Sequence, residues 1–217
     1  MERIICLVLG YAFGLIQTGY IVGKLNGLDI RDHGSGNAGT TNTLRTLGAK
    51  WGLVTLIGDI LKCMAAVFVA CTIFGNSCSE FLPLLKIYTA AGVVLGHDFP
   101  FYLGFRVGKG IAATGGLCFS FHPVTAAGSV IVFVLVFFTT HYVSLGSLLV
   151  YVGFIIELLV LGQSGAIPMA QGFLNEMYAV ALVLTVVAFW RHRENIVRLL
   201  NGVERKTYLT KKDRETH

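Results

Sequence analysis

The chain is patterned as long apolar runs joined by short polar segments. Neither the strict alternation of a half-buried strand nor the one-sided stripe of a surface helix dominates it. Runs at 4–23, 51–74, 82–95, 143–161 and 177–190 read as membrane-spanning helices. The first, Ile4 to Val22, is long enough to span and has no small-residue cleavage site after it, so it reads as a spanning helix rather than a removed leader.

The stretch 112–140 is ambiguous, because its 29 residues are interrupted by His122-Pro123. One span there gives six crossings and puts residues 24–50 and 191–217 on opposite faces. A break at His122-Pro123 gives two short helices and seven crossings, with 24–50, 96–110, 141–146 and 191–217 on one face. Charge decides between them. Of the 17 basic residues, four lie in 24–50 (Lys24, Arg31, Arg45, Lys50), two in 106–109 (Arg106, Lys109) and eight in 191–217, while the segments around 75–83 and 162–176 hold none. The broken solution gathers these charges on one face, which the positive-inside rule makes cytoplasmic. Its cost is geometric: a helix of about 11 residues is only about 16 Å long. It must borrow residues from the preceding glycine-rich stretch or be shielded by its neighbours.

The expected fold is therefore an all-α integral membrane protein of about seven transmembrane helices, some short, with the N-terminus outside and the C-terminus cytoplasmic. Residues 1–205 form one membrane domain and 206–217 a basic cytoplasmic tail.

Composition agrees. The 217 residues are 54% hydrophobic and 13% charged, with a mean hydropathy of +0.70. A soluble domain carries about 25% charged residues. The net charge of +5 reports orientation and anionic partners, and nucleic acid is not an expected partner. Cys6, Cys63, Cys71, Cys78 and Cys118 show no metal-ligand spacing, and most sit in apolar runs as small fillers.

Three polar clusters carry candidate chemistry. In Gly108-Lys109-Gly110, glycines flank a lysine at a membrane face, so backbone N–H groups and an ammonium can converge on one anion. The alternative is a plain turn with a topology-setting lysine. A P-loop is excluded: it needs glycine at the position of Leu103 and Ser or Thr at that of Gly110. His97, just upstream, is open between proton acceptor, phosphate donor and structural cap. Residues 34–42, GSGNAGTTN, make a dense set of small hydrogen-bonding groups before Arg45, or else a helix start capped by Thr40 or Thr41. Residues 191–204 place Arg191, Asn195 and Arg198 at i, i+4, i+7, one face if helical, or else form a basic stop segment. Asp59 and Lys62, spaced i, i+3 within the second span, form an intramembrane pair that is functional by default or simply self-neutralising. Glu157 has no local partner and no assigned role.

Together these segments resemble the bacterial glycerol-3-phosphate acyltransferases that use acyl phosphate as donor, over nearly the whole chain. Ser35-Gly36-Asn37 through Thr41-Asn42 and Arg45 look like that family's first motif. Gly96-His97 with Phe99-Pro100, then Gly108-Lys109-Gly110, look like its second. His192 with Asn195-Ile196, Arg198-Leu199, Gly202 and Glu204 look like its third, and Tyr142-Val143-Ser144-Leu145 matches a short sequence between them. The chain departs where Val107 stands for the first of two glycines before the lysine, where Ala113 precedes Thr114, and where Cys63 follows Lys62. None of these removes a charged group.

The resemblance implies transfer of a fatty acyl group from acyl phosphate to the 1-hydroxyl of glycerol 3-phosphate. The products are lysophosphatidic acid and phosphate, in the first acylation of phospholipid biosynthesis. It implies no metal, coenzyme A, acyl carrier protein or other cofactor. The implied place is the bacterial cytoplasmic (inner) membrane with the site on its cytoplasmic face, and a transient contact with the enzyme that makes acyl phosphate. As catalytic residues it points to Ser35, Arg45, His97, Lys109 and Asn195. As substrate-binding residues it points to Asn37, Thr41, Asn42, Lys62, Gly108, Gly110, Ser144, His192, Arg198 and Glu204.

The residues themselves are compatible with this chemistry. Two phosphates bring roughly four negative charges, matched by Arg45, Lys109, Arg191, Arg198 and Lys62. Acyl phosphate is an activated mixed anhydride and needs no covalent intermediate. Positioning and electrostatic stabilisation of the departing phosphate carry the work, and the hydroxyl proton passes to His97 or to a substrate phosphate oxygen. The rival reading, a small anion channel or transporter, expects cations spread through the membrane depth and an inverted repeat. The sequence shows neither, and a structural scaffold leaves the glycine-lysine and Ser-Gly-Asn clusters unexplained.

Overall fold

The computed structural model describes residues 1–104 and 108–208. Among these the chain is helical with no strand: α1 (Glu2–Gly14), α2 (Thr18–Leu25), α3 (Thr40–Leu47), α4 (Ala49–Phe74), α5 (Leu82–Asp98), α6 (Ile111–Phe121), α7 (Pro123–Thr140), α8 (Val143–Gln163), α9 (Gln171–Arg191) and α10 (Arg193–Leu200). Among the described residues six segments are long and apolar enough to cross a membrane: Glu2–Leu25, Ala49–Phe74, Ser79–Leu103, Pro123–Thr140, Val143–Gln163 and Gln171–Arg191. Large apolar side chains left outside the core, such as Leu61, Phe68, Leu135, Phe138 and Val186, suit contact with lipid.

The 112–140 stretch breaks at His122, whose extended backbone (φ −154, ψ 146) is what a residue before proline prefers. Pro123 then opens α7. At 18 residues α7 is a full span rather than one of two short helices. The 11-residue α6 is the short one, and protein shields it. A Cβ on Gly116 would lie 2.5 Å from the Ile60 carbonyl oxygen, so α6 runs backbone against backbone along α4, with Ala113, Leu117 and Cys118 fully buried.

The first span is not the single continuous helix expected. It breaks between α1 and α2, where Gln17 leaves helical geometry (φ −95, ψ 88). Backbone carbonyls freed in a membrane need partners. The buried Gln17 amide donates to the carbonyls of Gly14 (3.0 Å), Gly96 (3.2 Å) and His97 (3.1 Å). Lys62 caps the Ile16 carbonyl at 2.8 Å, and Tyr102 that of Leu15 at 2.6 Å.

Below this break α1 and α5 touch through two glycine pairs. A Cβ on Gly92 would lie 2.1 Å from the Leu7 carbonyl oxygen, and one on Gly14 would lie 2.4 Å from that of Val93. Gly10/Gly14 and Gly92/Gly96 each repeat at i, i+4, the small-residue spacing that lets helices approach closely where lipid supplies no hydrophobic drive between them.

Contacts sort the connections onto two ends. At one, Arg3 pairs with Glu176 (2.5 Å) and lies over Phe81 and Phe173. At the other, Arg45, the loop at 108–110, Ser144 and residues 191–207 meet through the contacts described below. Described residues of all four segments that the charge pattern placed on one face thus meet at one end of the bundle.

Candidate active site

The loop before α3 is built by Asn42. Its Oδ1 accepts from the Ser35 N–H (2.8 Å), and its Nδ2 donates to the carbonyls of Ile30 (3.0 Å) and His33 (2.9 Å). Asn37 accepts from the Gly39 N–H at 2.9 Å. These two amides shape the loop and leave Ser35 exposed at its tip. The N-cap of α3 is Gly39, with extended backbone, rather than Thr40 or Thr41. Thr41 lies half-buried in the first turn. Arg45 lies in the last turn, where a cation complements the helix dipole. It donates to the carbonyls of Arg205 (3.1 Å) and Lys206 (3.5 Å) and to the Thr207 hydroxyl (2.5 Å).

The second cluster follows α5. Arg106 and the Val107 irregularity lie outside the described residues. The Gly108 carbonyl accepts from Nε (3.1 Å) and Nη2 of Arg191. Gly110 then turns into α6 with φ +67, which a side chain would resist. Between them Lys109 reaches across to donate to Oδ1 of Asn195.

Asn195 passes the connection on. Its Nδ2 donates to Oε1 of Glu204 at 2.6 Å, which also accepts from the Ser144 hydroxyl at 2.8 Å. Nε of Arg198 donates to the other Glu204 oxygen at 2.7 Å. Burial pushes the Glu204 carboxyl up, but the bonds from Asn195, Arg198 and Ser144 outweigh it and hold it below its ordinary range. Burial, reinforced by Arg198 and Arg191, pulls the Lys109 ammonium below its usual value against the opposing charge of Glu204.

The expected stripe of Arg191, Asn195 and Arg198 is interrupted. His192 (φ −97, ψ 6) separates α9 from α10. Asn195 and Arg198 still share Glu204, whereas Arg191 turns to the Gly108 carbonyl. His192 itself is buried, its Nδ1 is 2.8 Å from the Ala188 carbonyl oxygen, and burial pulls its pKa down to about 4. Neutral, it donates from Nδ1 and keeps its lone pair on Nε2.

The intramembrane pair of Asp59 and Lys62 does more than neutralise itself. Lys62 Nζ contacts Asp59 Oδ1, the Ile16 carbonyl and Nδ1 of His97, each at 2.8 Å. The Thr18 hydroxyl donates to Asp59 at 2.9 Å. The opposite edge of the His97 ring packs on the phosphate-loop candidate: a Cβ on Gly108 would lie 2.2 Å from both Cδ2 and Nε2. Through His97 the pair thus joins the Gly108-Lys109-Gly110 loop.

Sequence reasoning left out Gln17, Thr207 and Asp98. Asp98 is fully buried, with neither carboxylate oxygen hydrogen-bonded among the described residues. Its Oδ1 would stand 3.3 Å from a Cβ on Gly110. Its place inside the Gly-His-Asp-Phe-Pro string was the available signal. Thr207, in the expected tail, is buried and donates its N–H to the His141 carbonyl. Glu157 faces α7, where a Cβ on Gly128 would meet its Oε1 at 1.7 Å.

The family model described as glycerol-3-phosphate acyltransferase matches residues 4–202. Curated relatives under that description include one from Clostridioides difficile (strain 630), 44% identical over 207 residues and covering 94% of each chain. Another, from Thermotoga petrophila, is 38% identical and covers 94% of this chain and 96% of its own. Among solved structures, PlsY (YgiH), an integral membrane glycerol 3-phosphate acyltransferase in its glycerol 3-phosphate form, superposes with a TM-score of 0.80 at 32% identity, covering 96% of each chain. Its lysophosphatidic acid form gives 0.79 at the same identity, over 96% of this chain and 97% of that one.

Proposed function

Because the chain belongs to the glycerol-3-phosphate acyltransferase family, we propose that its donor is acyl phosphate and that the acyl group goes to the 1-hydroxyl of glycerol 3-phosphate, releasing phosphate and lysophosphatidic acid. The relatives whose structures hold glycerol 3-phosphate and lysophosphatidic acid supply the acceptor and product of this reading. The face carrying Lys109 and Arg45 is the cytoplasmic one, in a bacterial inner membrane, where the water-soluble acceptor and the enzyme that makes acyl phosphate are reached.

The observation that carries the reading is the convergence of Lys109, Asn195, Arg198, Ser144 and Glu204 at one end of the bundle. Arg45 lies across the same segment. Such a set holds phosphate oxygens near a membrane face while an acyl tail stays in lipid. Lys109 neutralises charge on the departing phosphate. The Arg191-held carbonyl of Gly108 keeps the loop in place, so that little reorganisation accompanies reaction. Asn37 and Asn42 keep the Ser35 loop in shape beside α3, and Ser35 and Thr41 offer hydroxyls there. His192 adds a neutral imidazole.

The test is direct. Purified protein in detergent, given acyl phosphate and glycerol 3-phosphate, releases phosphate only when both are present. Release that ignores glycerol 3-phosphate, or none from folded protein, rejects the reading.

A further inference from the structure

The Lys62–His97 contact has a direction. An ammonium has only N–H bonds to offer and no acceptor, so at 2.8 Å the lone pair must belong to Nδ1 of His97. A neutral imidazole carries its proton on the other nitrogen. That nitrogen, Nε2, is on the edge packed against Gly108, one residue before Lys109.

Two acceptors hold Lys62 in this role. The Ile16 carbonyl, freed by the break in the first span, accepts from it, and so does Asp59, which Thr18 fixes in turn. Asp59 Oδ1 is 3.8 Å from Nδ1 of His97, beyond hydrogen-bond reach, so it does not compete for the ring. The His97 carbonyl is itself tied to Gln17, which limits backbone drift. Lys62, Asp59 and His97 are all buried.

We infer that Lys62, with Asp59 and the Ile16 carbonyl, is a positioning residue that locks His97 in the Nε2–H tautomer, making His97 a hydrogen-bond donor to the phosphate-loop side of the site rather than the acceptor of the hydroxyl proton. This rests on the acyltransfer reading for its role in turnover. The tautomer itself stands independently of that reading.

The test has a spectroscopic and a kinetic arm. Protein labelled with 15N-histidine in lipid nanodiscs, with the His97 signals assigned by their loss in His97→Gln, shows an unprotonated Nδ1 and a protonated Nε2. In Lys62→Met, and in Asp59→Asn/Lys62→Met, which buries no lone charge, the protonated-Nδ1 form appears. In that double variant kcat falls at least about tenfold, with the KM for glycerol 3-phosphate little changed. Gln places its amide N–H near the Nε2 position, whereas the shorter Asn reaches only that of Nδ1. His97→Gln therefore turns over at least about tenfold faster than His97→Asn. A protonated Nδ1 in the unaltered protein overturns the inference, as does His97→Asn matching His97→Gln in folded samples. If the unaltered protein releases no phosphate from the two substrates, the functional reading fails, and the spectrum alone still decides the tautomer.

Discussion

Lys109 and Asn195 are hydrogen-bonded across 86 positions of sequence, and that bond fixes which way the Asn195 amide points. Lysine only donates, so Oδ1 must face Lys109. The Glu204 carboxylate only accepts, so Nδ2 must face Glu204. Loop, α10 and the segment after it are thereby set in one register.

Lys109→Ala removes the cation nearest the departing phosphate in the proposed reaction. Phosphate release falls by about 100-fold or more, while the variant keeps its helical circular dichroism spectrum.

Glu204→Gln takes the charge from a carboxylate bonded by three side chains. Hydrogen bonds to a charged group contribute about 1.5–3 kcal/mol. The variant melts at a lower temperature by scanning fluorimetry, and activity falls with it, because the amide has one acceptor oxygen and cannot serve both Asn195 and Arg198.

Gly108→Ala places a methyl 2.2 Å from two atoms of the His97 ring. The ring is held on its far edge by Lys62 and cannot swing aside cheaply. The variant inserts as a helical protein by circular dichroism, yet its kcat drops at least about tenfold.

His192 gives the fold a pH dependence of definite sign. Its pKa lies near 4 in the folded chain against an ordinary 6.5. Between those values the unfolded chain binds more protons, so stability rises with pH. It is fully present above about 6.5 and is lost as pH falls toward 4. Melting of His192→Gln, followed from pH 7 to pH 4, declines less steeply than that of the parent chain.

Gly92→Ala and Gly14→Ala each drive a methyl onto a backbone carbonyl of the facing helix. Overpacking of this kind costs about 1–3 kcal/mol. Both variants melt at lower temperature, and because α1 also carries the break that Lys62 caps, activity is lost before the helices melt.

The spans were legible because apolar length is a coarse signal, and the break at His122 because proline restricts the residue before it. The break at Gln17 was not: no proline marks it, Gly14 and Gly19 on either side of it sit inside an unbroken apolar run, and its partners lie at Lys62, Gly96 and Tyr102, distant in sequence. The glycine pairs of α1 and α5 were readable in principle as small residues at i, i+4, but hydropathy hides them. In the site, residue types pointed to Lys109, Asn195 and Arg198. They could not divide the work between Arg198, which meets Glu204, and Arg191, which meets Gly108. Nor could they show that Asn42 serves the loop rather than the open surface, because amide orientation depends on carbonyls that spacing does not place.

The contacts of Arg45 with residues 205–207 also bear on how the protein is made. Arg45 is synthesised early and meets these partners only once residues 205–207 have emerged. A chain released by a stop codon anywhere between Lys109 and Glu204 carries its early spans into the membrane but not a complete site. On the proposed reading, premature termination in that interval gives an inserted but inert protein.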